Sequence, residues 1–359
     1  MRPFYLPRLA ASPAETFGGR CHAVIPAGHK VKRNRWLDTA KVSVDMDLRV
    51  DIAPGVTVPH GSDRLRLVWY TDPHSIWCWG CEPVIRRIEF LHPDVHVDVR
   101  MGGLFEDFTP MREYWTRMSG GRWKDSVTAF MEAVAGQHRM PMNAAALAEN
   151  ADDFNSTWPA CIAAKAAERQ GRDAAARYLR GLREAFLLEG RGIHRREVQL
   201  LVASERGLDL AEIARALDDG SARRAFEEDL AECRREGVTG FPTFVLHGAR
   251  SSVRIEGYRP WEEFEEVLQG IAPFPTLGRP SAKDTLRAFL GRYGRCATRE
   301  IAAVLGESDD ETELLLDEMA ADGGLVRREI GGGLFWEPVP VVRGEVRPAG
   351  PSEKAEASR

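Results

Sequence analysis

The most informative part of the chain is residues 65–91, which read LRLVWYTDPHSIWCWGCEPVIRRIEFL. Its first residues, 65–70, are rich in β-branched and aromatic side chains and end at Thr71-Asp72-Pro73, a pattern typical of a buried strand followed by a loop. Apolar residues then recur at helical spacing over residues 82–91, and residues 95–99 alternate between apolar and polar. The order of strand, cysteine-containing loop, helix and strand predicts a βαβ unit.

A long helical stretch separates this unit from the rest of its sheet. Apolar stripes at helical spacing continue through about residues 104–236. Strand patterns return at residues 243–246 and 253–255, and a helix pattern follows at residues 260–270. A sheet that is interrupted and then resumed predicts one α/β domain over residues 63–271.

The segments outside this domain have a different character. Residues 1–62 are predicted to be an N-terminal extension with one long β-strand, because apolar and polar residues alternate strictly over residues 42–52. Residues 272–281 are rich in proline and are predicted to be a linker. Residues 282–339 have three short helix patterns and a hairpin pattern, which predict a small winged-helix-like domain. The polar residues 340–359 are predicted to be disordered.

The composition is that of an ordinary globular protein. The chain has 359 residues, of which 43% are apolar and 29% are charged, and its formal net charge is -5. This balance does not indicate nucleic-acid binding, and no run approaches the ~18 consecutive apolar residues that a membrane span needs. Prolines and arginines interrupt residues 1–9 before a signal peptide could form. The sequence therefore predicts a cytoplasmic protein with neither nucleic acid nor membrane as a partner.

Two of the six cysteines, Cys78 and Cys81, form a Cys-x-x-Cys motif at the start of a predicted helix. The amide groups and the dipole of a helix N-terminus favour thiolate over thiol. We therefore predict that Cys78 attacks a disulfide and that Cys81 resolves the mixed disulfide. Zinc sites use the same spacing, but they normally need two further ligands, and the chain has no second close cysteine pair, so no metal is expected.

A second motif, Gly240-Phe241-Pro242-Thr243-Phe244, leads into the strand pattern at residues 243–246. Pro242 looks like the cis-proline of thioredoxin folds, which faces the cysteine pair and leaves the backbone before it free to pair with an extended substrate. Thr239, Gly240, Phe241 and Pro242 are therefore candidate substrate-binding residues. A plain turn proline before a strand is the alternative interpretation.

Together these motifs resemble the DsbA family and, within it, the cytoplasmic FrnE-like branch. The resemblance covers roughly residues 64–271 and is carried by Tyr70-Thr71-Asp72-Pro73, Trp77-Cys78-Trp79-Gly80, Glu82-Pro83-Val84, Gly102-Gly103-Leu104 and Gly240-Phe241-Pro242-Thr243-Phe244. It implies a thioredoxin-like fold with a large helical insertion, and a thiol-disulfide oxidoreductase that acts on protein thiols and disulfides or on a small thiol. Some relatives act as adaptors for proteolysis, which implies a non-catalytic alternative.

The cysteine motif departs from this family in its register. In such relatives the active pair usually falls at the positions of Ser75 and Cys78, so the pair here is shifted by one helical turn. Ser75 also resembles the serine that holds a glutathione thiolate in kappa-class glutathione transferases and in chromene-carboxylate isomerases. A glutathione-dependent transferase or isomerase that uses Ser75 is therefore another hypothesis. No cofactor besides glutathione is expected.

The remaining candidate residues have simpler interpretations. Trp77 and Trp79 flank Cys78, and the sequence leaves open whether they form an apolar lip for a substrate or pack in the core. His74 is expected to be a solvated loop histidine. In the C-terminal domain, the segment from Glu307 to Asp322 is acidic and has no Lys or Arg, which opposes binding to nucleic-acid phosphates and favours a protein partner.

Overall fold

The structure is a computed structural model that describes residues 65–248, 252–271 and 281–339. The strand predicted within residues 1–62, the linker at residues 272–280 and the tail at residues 340–359 lie outside the described residues. Those predictions therefore stay predictions.

Four strands form a mixed sheet within residues 66–256. They are β1 (Arg66–Thr71), β2 (His96–Met101), β3 (Thr243–His247) and β4 (Ser252–Glu256). The strand order is β2-β1-β3-β4, in which β1 pairs in parallel with β2 and antiparallel with β3, and β3 pairs antiparallel with β4. A parallel β1–β2 pair requires a crossover connection.

Two consecutive helices supply that crossover, and eight more lie in the fully described stretch between β2 and β3. The crossover helices are α1 (Ile76–Gly80) and α2 (Glu82–Leu91). The inserted helices are α3 (Thr109–Met118), α4 (Trp123–His138), α5 (Ala144–Glu149), α6 (Trp158–Glu168), α7 (Arg172–Leu187), α8 (Arg196–Glu205), α9 (Leu210–Asp218) and α10 (Ser221–Arg235). A further helix, α11 (Trp261–Ile271), contacts β4. The predicted thioredoxin-like α/β fold with a large helical insertion is confirmed.

Strand β1 is covered on both faces, which explains its continuous apolar sequence. Leu67 and Trp69 point to one face, where they pack in a cluster with residues of α2 and α11. Val68 and Tyr70 point to the other face, where they pack with Cys233 of α10. This alternation is the two-residue period of a strand. The central strand thus fixes the start of the loop that carries Ser75.

Residues 281–339, which we call the C-terminal module, form three helices and a small sheet. In chain order they are α12 (Ala282–Tyr293), β5 (Cys296–Ala297), α13 (Thr298–Leu305), α14 (Asp309–Ala321), β6 (Leu325–Ile330) and β7 (Gly333–Pro338). The sheet has the order β5-β7-β6. Ser308 begins α14 with a capping box, in which its side chain accepts a hydrogen bond from the amide of Glu311. The three helices and the hairpin correspond to the predicted elements, and the winged-helix assignment stays a prediction.

The C-terminal module packs on the thioredoxin-like part through shared hydrophobic clusters. Helix α13 lies along α2. Phe90 at the end of α2 packs edge to face on Phe289 of α12, with ring centroids 5.3 Å apart. Phe335 of β7 is fully buried in a cluster that includes Ile76 and Trp79 of α1. The module is therefore part of the environment of the cysteine motif.

Helices α1 and α4 approach each other closely at Gly80. A Cβ atom at this position would lie 2.6 Å from Cβ of His138. We expect Gly80→Ala to lower the free energy of unfolding by about 1–3 kcal/mol, because it overpacks the contact. The matched control is Gly136→Ala on the exposed face of α4, where an added Cβ has no neighbour within 4 Å.

The control should instead stabilise the protein by about 0.5–1 kcal/mol, since alanine favours a helix over glycine. Urea denaturation of both variants measures the two effects. Equal changes in the same direction would contradict the close approach at Gly80.

Candidate functional site

Ser75 lies at the N-cap of α1, where the resemblance had placed the attacking cysteine of related proteins. Its Oγ accepts a hydrogen bond from the amide of Cys78 at 3.2 Å, and its own amide donates to the carbonyl of Asp72 at 3.1 Å. The carboxylate of Asp72 accepts from the amides of His74 and Leu104, each at 2.8 Å. Burial would raise the pKa of Asp72, but the nearby His74 side chain and then the amide hydrogen bonds from Leu104 and His74 hold it below its usual range. This ionised carboxylate fixes the loop that leads to Ser75.

The two cysteines lie close together in the hydrophobic core. Cys78 is within α1, and Cys81 is at the junction of α1 and α2. Cys78 is 0% exposed and Cys81 is 1% exposed. Burial raises the pKa of Cys78, although the Arg183 guanidinium and a hydrogen bond with Ser75 oppose the change. Burial, together with the charge of a Cys78 thiolate, raises the pKa of Cys81 further.

The prediction that the helix N-terminus activates Cys78 is therefore wrong. The amide of Cys78 donates its hydrogen bond to Ser75 Oγ. Ser75, and not Cys78, therefore holds the N-cap position, where the helix amides would stabilise a thiolate. Loss of hydration outweighs the remaining favourable contacts of the Cys78 sulfur. Cys81 also differs from its prediction, because it lies between two helices rather than one turn inside a single helix.

Three aromatic side chains, Trp77, His138 and Tyr258, form what we call the aromatic cluster. Trp77 stacks on Tyr258 with ring centroids 6.0 Å apart, and His138 contacts both rings edge-on at 6.3 and 6.1 Å. Burial lowers the pKa of His138 to about 4, so this imidazole is neutral near pH 7. Tyr258 packs against the hydrophobic cluster that contains Cys78 and Cys81.

The aromatic cluster also contacts the C-terminal module. Burial raises the pKa of Tyr258 to about 12, and a hydrogen bond with Arg299 of α13 acts in the opposite direction. Asp309 of α14 binds Arg299 at 3.2 Å and Arg139, which follows α4, at 2.8 Å. These contacts hold the start of α13 and the start of α14 next to the residues that surround the cysteines.

The two tryptophans beside Cys78 have different environments. Trp79 is fully buried, its indole N–H donates to the carbonyl of Pro141 at 2.8 Å, and the Arg180 guanidinium lies 4.4 Å from its ring centroid. Trp77 is only half-buried. Of the two possibilities left open by the sequence, core packing holds for Trp79, and Trp77 is the one with accessible surface.

A buried ion network joins the site to the C-terminal module. Glu300 of α13 accepts two hydrogen bonds from Arg180 of α7, at 2.8 and 2.9 Å, and lies 3.2 Å from Arg86 of α2. Glu82, which directly follows Cys81, binds Arg183 and lies 3.4 Å from Arg180. Burial would raise the pKa of Glu82, but Arg183 and Arg180 hold it below its usual range. Buried ion pairs therefore join the two parts, beside the hydrophobic clusters that they share.

Sequence reasoning missed this network. Charged residues on helices are usually solvated, so nothing local marks Glu300 or Arg180 as buried. The one available signal is on α7, where Arg180 and Glu184 are spaced i,i+4 and pair at 2.8 Å. That spacing is as common on exposed helix faces as in buried networks.

The predicted substrate-binding residues form the loop before β3. The Phe241–Pro242 peptide bond is cis. Thr239 and Gly240 are exposed, whereas the half-buried Phe241 packs against the cluster that contains both cysteines. A Cβ atom at Gly102 would lie 1.9 Å from the Phe241 ring, so glycine is required there for the ring to pack. The structure thus brings this loop and the cysteine motif to one hydrophobic cluster.

Ser75, to which the resemblance assigns a glutathione thiolate, is only 3% exposed. The glutathione hypothesis stays a prediction. Across residues 65–248, 252–271 and 281–339, no three His, Cys, Asp or Glu side chains are grouped so that they could hold a metal ion. No helix in the same ranges has the length and apolar character needed to span a membrane.

Comparison with known proteins gives one family match and several similar proteins. A family model described as thioredoxin matches residues 69–266. The ClpXP adapter protein SpxH of Bacillus subtilis (strain 168) is 26% identical over 284 residues, which cover 77% of this chain and 90% of that protein. SpxH of Shouchella clausii (strain KSM-K16) is 27% identical over 76% of this chain and 88% of its own length.

Among solved structures, the cytosolic disulfide reductase DsbM from Pseudomonas aeruginosa is 25% identical and has a TM-score of 0.45. The alignment covers 58% of this chain and 100% of that chain. The thioredoxin family model spans more than half of this chain and includes Ser75, both motif cysteines and Pro242. The chain belongs to the thioredoxin family.

Proposed function

We propose that this protein is a non-catalytic adaptor that uses a thioredoxin-like scaffold to bind another protein. The observation that carries the proposal is the burial of both motif thiols. Thiol-disulfide exchange needs a thiolate whose sulfur an incoming disulfide can reach. Cys78 and Cys81 are 0% and 1% exposed, and burial raises the pKa of both. Neither requirement is met in this conformation.

The way the C-terminal module is attached supports the same proposal. Its Glu300 is fully buried between Arg180 and Arg86 of the thioredoxin-like part. Separating the two parts would leave these charges without their partner, which is costly in free energy. The C-terminal module is therefore an integral part of the fold and offers a fixed surface for a protein partner.

The similar proteins named ClpXP adapter protein SpxH supply the partner class for this proposal. Their similarity to this chain extends over about three quarters of it and over nearly all of their own length. We therefore propose that the bound protein is presented to a protease of the ClpXP type.

The surface proposed for the protein partner is the outer face of α14. Leu314 is 73% exposed in the middle of this helix. Asp310, Glu311, Asp317 and Glu318 lie three or four residues away on either side, so they neighbour it on the helix surface. This face suits a partner segment that combines basic residues with an apolar side chain.

A thiol-disulfide oxidoreductase that uses Cys78 and Cys81 is the second candidate. The observation in its favour is Arg183, whose guanidinium stabilises the thiolate form of Cys78 against the effect of burial. This enzyme would attack with Cys78, resolve with Cys81 and dock its substrate on the backbone of Phe241 and Pro242. It would have to expose the sulfurs by a local opening of the fold.

The two candidates are separated by complementation of a deletion strain. Quantitative proteomics would compare strains that carry wild type, the double variant Cys78→Ala/Cys81→Ala, or Leu314→Arg. An adaptor is expected to lower the steady-state level of a small set of proteins, and the double-cysteine variant should do so as well as wild type. Leu314→Arg should fail to lower it, whereas the matched variant Leu201→Arg, at an exposed leucine of α8, should act like wild type.

The opposite pattern would contradict the adaptor proposal. If the double-cysteine variant fails and Leu314→Arg succeeds, the thiols carry the function. An insulin-reduction assay on the purified proteins then measures the redox activity directly.

A further inference from the structure

A small cavity of about 100 Å³ lies where the helical insertion meets the loop after β1. Aromatic rings form one of its walls: Phe108 contacts Phe154, and His74 contacts both Phe154 and Phe186, with ring centroids 4.7–5.1 Å apart. Asn150 is the exposed residue of the lining, so the cavity opens to solvent there. The cavity therefore has an apolar interior with an accessible mouth.

His74 is the buried polar group in this wall. Its side chain is only 3% exposed, so the sequence-based expectation of a solvated loop histidine is wrong. Nε2 has no hydrogen-bond partner among the residues that the structure describes, and Nδ1 faces only the Asp72 carboxylate, 3.7 Å away. A buried imidazole nitrogen without a partner is unfavourable, because it has lost its hydrogen bond to water and has no replacement. The ring thus offers a hydrogen-bonding site to a molecule in the cavity.

The neighbouring Asp72 decides whether His74 donates or accepts. Asp72 Oδ1 lies 3.7 Å from His74 Nδ1. A neutral imidazole carries one proton, and a carboxylate on the Nδ1 side favours the tautomer with the proton on Nδ1. Nε2 is then left with a lone pair and acts as an acceptor. A ligand that satisfies it must carry a hydrogen-bond donor.

We propose that this cavity binds a small phenol, whose ring packs between Phe154 and Phe186 and whose hydroxyl donates to Nε2 of His74. An engineered apolar cavity of about 150 Å³ binds benzene, so a slightly smaller cavity with an open mouth suits one six-membered ring with a small substituent. An aromatic carboxylate is excluded, because it would bring a second negative charge into apolar surroundings near Asp72. The site is independent of the proposed adaptor function.

Isothermal titration calorimetry with phenol, toluene and benzoate tests the proposal on wild type and on His74→Leu. Wild type should bind phenol saturably and should not bind benzoate. The ratio of the phenol affinity to the toluene affinity should fall about fivefold in His74→Leu, which is the effect of losing one neutral hydrogen bond. The difference in hydrophobicity between phenol and toluene contributes equally to this ratio in wild type and in His74→Leu, so it does not affect the comparison.

Two alanine variants test the location. Ala148 lines the cavity, so Ala148→Leu fills it and should abolish binding of both phenol and toluene. Ala133→Leu, on the exposed face of α4, should bind both ligands as wild type does. Thermal denaturation establishes that each variant is folded, and Ala151→Leu at the rim replaces Ala148→Leu if the latter is unfolded. Absence of saturable phenol binding to wild type, or an unchanged affinity ratio in His74→Leu, would overturn the proposal.

Discussion

Glu300→Ala is expected to lower the free energy of unfolding by about 3–5 kcal/mol, because it leaves buried arginines without their partner. Glu300 is 0% exposed, accepts two hydrogen bonds from Arg180 and one from the amide of Ala297, and lies 3.2 Å from Arg86. The buried part of the network pairs Arg86, Arg180 and Arg183 with Glu82, Glu184 and Glu300. Removal of one carboxylate breaks this balance of charge.

Urea denaturation measures the change, and Glu329→Ala is the matched control. Glu329 is an exposed residue of β6 in the same module, so its replacement should change the stability by no more than about 0.5 kcal/mol. Glu300→Gln keeps the shape and part of the hydrogen bonding and should give an intermediate loss. A loss below about 1 kcal/mol for Glu300→Ala would indicate that the network contributes no more than a surface ion pair.

Cys78 and Cys81 are expected to react with an alkylating reagent at pH 7 at least about 100-fold more slowly in the folded protein than in urea. Two physical effects act together. A thiol with a pKa near 9 is only about 1% thiolate at pH 7, and burial raises the pKa of both thiols beyond their usual range. The sulfurs are also buried, so the reagent reaches them only when the protein opens locally.

Peptide mapping after short alkylation identifies which cysteines have reacted. The control is a thiol introduced by Ala133→Cys on the exposed face of α4, which should label quickly in the folded protein. The labelling rate should increase with pH through the raised pKa values, since only the thiolate reacts. Labelling of Cys78 as fast as the control thiol would instead favour the oxidoreductase candidate.

Local sequence patterns were sufficient for most of the secondary structure. The three helix patterns of the C-terminal domain correspond to Ala282–Tyr293, Thr298–Leu305 and Asp309–Ala321, because each has apolar residues at helical spacing and two begin at a capping serine. Strand β1 was predicted from the β-branched and aromatic residues of the run 65–70, which are typical of a buried strand. These features depend only on residues that are neighbours in the chain.

The chemistry of the cysteine site could not be predicted in the same way. A Cys-x-x-Cys motif at a helix start predicts an activated thiol, and here that prediction failed for Cys78 because desolvation dominates its pKa. Desolvation is set by side chains distant in sequence, such as Phe244, Phe264 and Tyr258 of the same hydrophobic cluster, so the motif contains no information about it. His74 was misjudged for the same reason, since Phe154 and Phe186 bury it.

The sequence by itself determined the elements, the thioredoxin-like fold and the residues of the motif loop, because hydrophobic periodicity and turn residues act over a few positions. Only the tertiary structure decided that α13 lies along α2, that both motif thiols are covered and that Glu300 meets Arg180. These two residues are separated by 120 positions, and an arginine or glutamate on a helix has the same local pattern whether it faces water or a partner. Contacts of this kind form only when distant parts of the chain pack together and exclude water. This exclusion of water raises the pKa of the buried thiols and makes an unpaired buried charge costly in free energy.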